Sequence, residues 1–143
     1  MVKQKLISRI TFLRKFKSMQ MVHFATIDGK KPRVRPVTLL KIKGKLWIAT
    51  GTKDSKIKHL KDNKNIEFCQ LLLKGENMGY IRGRGVVKIV KDKKTRVVIA
   101  KKIPFFKMFW QDLNDPAYSL LEIILKDADY MRPGKMIPEK IKL

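Results

Sequence analysis

Between residues 33 and 56 the chain concentrates side chains suited to holding an anion. In Arg33-Val34-Arg35-Pro36-Val37-Thr38-Leu39 the two-residue strand period puts Arg33 and Arg35 on one face, with Val34, Pro36 and Thr38 on the other. A few residues on, Gly51-Thr52-Lys53-Asp54-Ser55-Lys56 offers Thr52, Asp54 or Ser55 as the cap of a short helix running through His59, Leu60 and Lys61. A helix start leaves backbone N–H groups without partners and carries a partial positive charge, so a phosphate docked there satisfies both. Lys53, Lys56 and the hydroxyls add charge and hydrogen bonds. The plain alternative is a helix cap beside solvated lysines. Neither a two-carboxylate site nor a His/Asp/Ser arrangement can be defended from the spacing, so acid–base hydrolysis is not indicated.

The elements that must position these residues read mainly as strands. Pro36 inside a strand-like run cannot donate to a ladder, which predicts an edge or a bulge with backbone open to a ligand. A Lys43-Gly44 turn leads into Lys45–Thr50 as the hairpin partner, in which Ala49 and Thr50 close the strand. Before them, residues 2–17 carry Val2, Leu6, Ile10 and Leu13 at helical spacing. Met21–Ile27 is a nearly continuous apolar strand ended by Asp28-Gly29, which suggests burial on both faces, and His23 sits within it with a backbone partner as its ordinary role. Beyond them, 65–73 and 80–91 read as strands. Gly83 and Gly85 share one face, marking either a close approach or a barrel corner.

Asp92 caps a helix with Val97, Val98 and Ala100 on its apolar side, and Pro104 ends or kinks it. Residues 105–110 hold Phe105, Phe106, Phe109 and Trp110, either a short helix closing the core or a ring platform or subunit contact. Ser119–Lys126 is a sixth strand, apolar on both sides and so expected at the centre of the sheet or in an interface, with Glu122 paired to an Arg or Lys. The order helix, three strands, helix, two strands, helix, strand predicts a mainly β fold with flanking helices: a six-stranded antiparallel barrel, closed or partly open, in one domain spanning 1–143.

Thirty-four basic residues against twelve acidic give a formal net charge of +22, which predicts attraction to polyanions without saying which. The bases are spread along the chain rather than gathered in a tail. A thermophilic origin does not account for them, because Glu is not enriched with Lys. Cys69 stands alone, so no intrachain disulfide is expected, and its ordinary role is a small buried hydrophobe. No apolar run approaches the roughly 20 residues that span a bilayer, and a soluble, cytoplasmic protein is expected.

The stretch HFATIDGKKPRVRPVTLLKIKGKLWIATGTKDSKIKHLKDNKNIEF resembles the FMN-binding split-barrel family of pyridoxamine 5'-phosphate oxidase-like proteins. Those proteins show an ATxDG turn, an RxRPV strand, a strand ending in Trp or Tyr with Thr, and an SxK…L…N helix in that order. The resemblance implies the split-barrel fold and a homodimer with FMN in two clefts between subunits. It implies that Arg35, Pro36, Val37 and Thr38 line the flavin, with Arg33 beside them and Ala49 and Thr50 following. It makes Ser55 and Lys56 the phosphate-gripping pair, with Ser where the family often has Arg, and Lys53 as a substitute. The partner's segment around Phe109 and Trp110 would cover the ring.

True pyridoxamine-phosphate oxidases carry an Arg- and His-containing tail where this chain has MIPEKIKL, so vitamin B6 oxidation is not expected. The implied activity is flavin-dependent oxidoreduction with a small-molecule redox partner. A deazaflavin coenzyme or haem is the alternative ligand. The rival readings are a nucleic-acid-binding barrel with Tyr80, Arg82 and Arg84 as its contact face, and a flavin- or deazaflavin-binding protein without turnover.

Overall fold

Four tight turns and a run of alternating side chains fix most of the architecture. The computed structural model describes residues 2–143, with side chains from residue 8 onward. The chain runs α1 (Val2–Leu13), β1 (Met19–Asp28), β2 (Lys31–Ile42), β3 (Lys45–Gly51), α2 (Ser55–Asp62), β4 (Asn65–Lys74), β5 (Asn77–Ile89), α3 (Lys93–Ala100), α4 (Phe106–Phe109), β6 (Tyr118–Met131) and β7 (Glu139–Lys142). Gly29 at φ 64° and the pair Lys43 (55°) and Gly44 (70°) reverse the first two hairpins in left-handed conformations that glycine adopts without strain.

Every strand pairing is antiparallel, in the order β3-β2-β1-β4-β5-β6-β7, and a further β3–β6 pairing closes the first six strands into a ring. The expected six strands are joined by a seventh, β7, from the short basic tail, which adds to β6 outside the ring. β6 is central as expected: it pairs with β5 along one side and with β3 and then β7 along the other. Glu122 on it meets Lys45 at 3.7 Å.

Two apolar cores lie on opposite faces of this sheet. Inside the ring, Phe24, Leu39, Ile48, Phe68, Ile81 and Leu121 pack together, and Ile57 and Leu60 of α2 join them. Outside it, Leu40, Trp47 and Leu120 are covered by Ile99, Ile103, Phe106 and Trp110 of the α3–α4 segment. Asp92 caps α3 by accepting from Thr95 N, and α3 ends at Ala100, ahead of Pro104.

Two expectations change. The Val2 and Leu6 side chains lie outside the described residues, Leu13 packs against the core as expected, Ile10 is exposed, and Phe12 and Phe16 are the residues that enter the core. β1 alternates instead of burying both faces: Val22 and Phe24 point inward while Met19, Met21 and His23 point out. The reason is that α3 and α4 cover only the β2-β3-β6 side, leaving the outer face of β1 uncovered. Cys69 is a free, half-buried thiol on that outer face, paired in register with His23 and Arg82, and burial pushes it above its ordinary range.

Both Gly83 and Gly85 mark a close approach, and Gly85 also sits at a corner. A Cβ at Gly83 would stand 2.5 Å from the Phe68 ring, a close approach. Gly85 follows the register shift between Arg84 and Gly85, where the β5–β6 ladder turns a corner.

On the outer face of β4, β5 and β6, Glu67, Arg82, Arg84, Asp127 and Asp129 form one ion cluster. Hydrogen bonds from Arg84 and, less strongly, from Arg82 together outweigh the opposing effect of burial and pull the Asp129 carboxyl down to about 2. A depressed carboxyl stabilises the fold fully above its ordinary pKa near 4, and that contribution is lost as pH falls toward 2. The Asp129→Asn variant should therefore be less stable than the parent by about 1–3 kcal/mol at pH 7, with the gap narrowing between pH 4 and 2, as read by urea unfolding at each pH.

Candidate functional site

The candidate site exists because β2 and β3 part company. They pair only over Leu40–Ile42 and Lys45–Trp47; beyond that β3 turns to β6 through Leu46–Gly51, while β2 keeps β1. Residues 31–39 of β2 thus have a partner on one side only. Pro36 lies in this stretch, opposite His23, where a missing N–H costs nothing in the ladder.

The opening between the splayed strands is a groove of about 250 Å³. Pro36, Val37 and Thr38 form one wall, Ala49, Thr50 and Lys56 the other, and Phe105, Phe109 and Trp110 supply aromatic surface. Trp110 donates its indole N–H to Ala117 O at 3.2 Å and packs on Phe106 and Tyr118. Phe109 remains 66% exposed, so it bounds the groove without belonging to the core. A second depression, past Gly51 and Trp110, is lined by Thr52, Lys53, Asp54 and Asp115.

At the inner end of the groove stands α2. Asp54 is its N-cap, accepting from Lys56 N at 3.0 Å. The Lys56 side chain is buried, and its ammonium donates to Thr50 Oγ1 at 2.7 Å and lies 2.9 Å from Asp54 Oδ1. Burial would raise the Asp54 carboxyl, but the Lys56 bonds and the Arg35 charge hold it below the ordinary range.

Arg35 differs from the other arginines on the sheet. It points to the same side as Phe24, its partner in register, and donates to Phe24 O at 3.2 Å. Its other contact is with His59 Nδ1 at 3.5 Å. Among the described residues no carboxylate lies within 4.0 Å of it; burial lowers its pKa, and the more distant Asp54 charge partly restores it. A half-buried guanidinium with no carboxylate in direct contact has unused capacity to bind an anion.

The expected residues divide accordingly. Pro36, Val37, Thr38, Ala49, Thr50 and Lys56 meet at one groove, and Arg35 adjoins them through Asp54. Arg33 shares the Arg35 face but is occupied by Asp28 at 3.3 Å in solvent. Lys53 lines the second depression, and Ser55 is the exposed first residue of α2, so neither borders the groove. The aromatic segment assigned to a partner already lines the groove of its own chain.

Thr26 and His59, joined at 2.9 Å, were not foreseen. They stand thirty-three residues apart, and only the packing of α2 under β1 brings them together. The rival contact face is neutralised, because Arg82 and Arg84 are both held by Asp129, with Glu67 and Asp127 beside them.

No protein-family model matches the sequence, and no curated protein matches it. Solved structures do. A NimC/NimA family protein from Clostridium acetobutylicum superposes at TM-score 0.75 with 20% identity, over 98% of this chain and 93% of its own. General stress protein 26 from Bacillus anthracis gives 0.70 with 23% identity, over 96% and 98%. A putative pyridoxamine 5'-phosphate oxidase from Listeria innocua gives 0.65 with 15% identity, over 91% and 98%. The fold is therefore the pyridoxamine 5'-phosphate oxidase-like split barrel, as the sequence resemblance implied.

Proposed function

We propose that this chain is a flavoprotein that binds FMN in the β2–β3 groove and serves as a flavin-dependent oxidoreductase on a small-molecule partner. The observation that carries this reading is a pair of cations on either side of Asp54: the buried Lys56, which lines a groove with aromatic surface, and Arg35, half-buried with no carboxylate within 4.0 Å among the described residues. These residues fit the cofactor's two halves. Arg35 and Lys56 supply fixed positive charge for the phosphate, with Lys56 shared between Thr50 and Asp54 until an anion arrives. Pro36, Val37, Thr38 and Ala49 offer a narrow, largely apolar slot for a flat ring, and Phe105, Phe109 and Trp110 exclude water from it. When bound, FMN supplies hydride or electron transfer; the chain binds it, orients it and surrounds it with positive charge.

The reading includes a homodimer. Met19, Met21, Val34, Leu71, Leu73 and Met78 are exposed and all lie on the outer face of β1, β2, β4 and β5, the side that α3 and α4 leave bare. A second copy seated there would bury this apolar surface and close the groove.

Titration with FMN and riboflavin, followed in the visible spectrum, tests the reading. FMN should bind with its absorbance band perturbed, and riboflavin, lacking the phosphate, at least tenfold more weakly. Equal affinity for both would remove the role of Arg35 and Lys56. No perturbation with either would remove the flavin altogether.

A further inference from the structure

We infer that His59 is a positioning residue that couples anion binding at Arg35 to proton uptake, making the proposed cofactor site tighter as pH falls through the histidine range. The inference rests on the reading of Arg35 as an anion-binding group, but its chemistry is that of His59. The imidazole is 10% exposed and lies between β1 and β2. Its Nδ1 is 2.9 Å from Thr26 Oγ1 and 3.5 Å from Arg35 Nη2, and its Nε2 is 3.8 Å from Asp28 Oδ2.

A guanidinium can only donate hydrogen bonds. Nδ1 can accept from Arg35 only in the neutral tautomer that carries its proton on Nε2, toward Asp28. In that state Arg35 is held between the ring and the Phe24 carbonyl. Protonation puts an N–H where the lone pair was. The ring keeps Thr26 as an acceptor and gains the attraction of Asp28, while Arg35 loses one of its two ties and faces a second cation. A bound anion offsets that repulsion, so anion binding and ring protonation favour each other, and by linkage each strengthens the other equally.

The charged groups around the ring set the sign. From β1 it faces Asp28; from β2, Arg33, which also holds Asp28, and Arg35; on α2 itself Asp54 and Lys56 begin the helix and Asp62 stands three residues on. Asp28 is shared between Arg33 and His59, so the positive charge of a protonated ring is only partly compensated and remains available to an anion.

The chain has two histidines, so the imidazole C–H signals of His23 and His59 can be followed by NMR across pH 5.5–8. With FMN or inorganic sulfate present, the His59 midpoint should rise by about one unit, equivalent to about tenfold coupling, and with riboflavin it should not. His23, on the outer face, should not respond to sulfate. The His59→Gln variant should lose the same tenfold rise in FMN affinity, relative to the parent, between pH 8 and 6; titration of the FMN phosphate itself is common to both proteins and cancels. An unmoved His59 midpoint with FMN bound and with sulfate overturns the coupling and leaves the flavin reading standing. A midpoint that rises with sulfate in a chain binding neither flavin supports the coupling and overturns the flavin reading.

Discussion

Replacing Arg35 with methionine is expected to weaken FMN binding about a hundredfold while leaving the fold nearly untouched. A hydrogen bond between charged groups contributes about 1.5–3 kcal/mol, and each 1.4 kcal/mol is a factor of ten in affinity, so loss of the proposed phosphate contact falls at the upper end of that range. The cost to stability is small because Arg35 gives up only the Phe24 carbonyl and the His59 ring, and methionine keeps most of the side-chain bulk. Arg33→Met is the control. Arg33 lies on the same face but is exposed and paired with Asp28, and its loss should change affinity less than threefold. The measurement is a parallel titration of parent and variants with FMN and riboflavin. The Arg35 variant should bind the two flavins almost equally, and a variant that keeps the parent's preference for FMN would place the phosphate elsewhere.

Gly85→Ala should be among the most damaging single-methyl changes in the chain, lowering stability by about 3 kcal/mol and Tm by roughly 10 °C. The added Cβ would stand 2.0 Å from Ile124 O, inside the ladder that β5 shares with β6. A backbone carbonyl held in a sheet cannot step aside, so the register shift at Arg84/Gly85 must deform. Gly83→Ala also creates a contact of 2.5 Å, but against the Phe68 ring, which can tilt, and it should lower Tm by less than half as much. Thermal unfolding of both variants decides the order; equal losses would mean that the corner is not fixed by its backbone.

Local chemistry was legible and non-local chemistry was not. The Asp28-Gly29 and Lys43-Gly44 reversals, the cap on α2 and the one-sided Pro36 strand each depend on a few consecutive residues. Their outcome follows from backbone sterics and unsatisfied N–H groups. Pro36, Val37, Thr38, Ala49, Thr50 and Lys56 line one groove because β2 and β3 splay apart, a separation that the motif's order alone does not describe. Thr26 and His59 meet through a tertiary contact that no spacing announces. The β1 pattern misled because Met19 and Met21 are apolar yet face outward, a signal that in one chain cannot be told from burial. The seventh strand escaped notice because Glu139–Lys142 carries charged residues on a solvated edge and shows almost no apolar alternation.

The seam between β1 and β4 is held by only three residue pairs, His23 to Cys69, Phe24 to Phe68 and Ala25 to Glu67, and no tight turn links the two strands. The only other junction of the ring as short is β2–β3, also three pairs, but there a tight turn joins the strands. If the seam parts, the β1–β2 hairpin stays tied to the ring only through the three β2–β3 pairs, while β3 and β5 stay on β6 and β4 stays on β5. Pro36, Val37 and Thr38 lie on that hairpin and Ala49 and Thr50 on β3, so parting of the seam would change the width of the groove as well as open the ring.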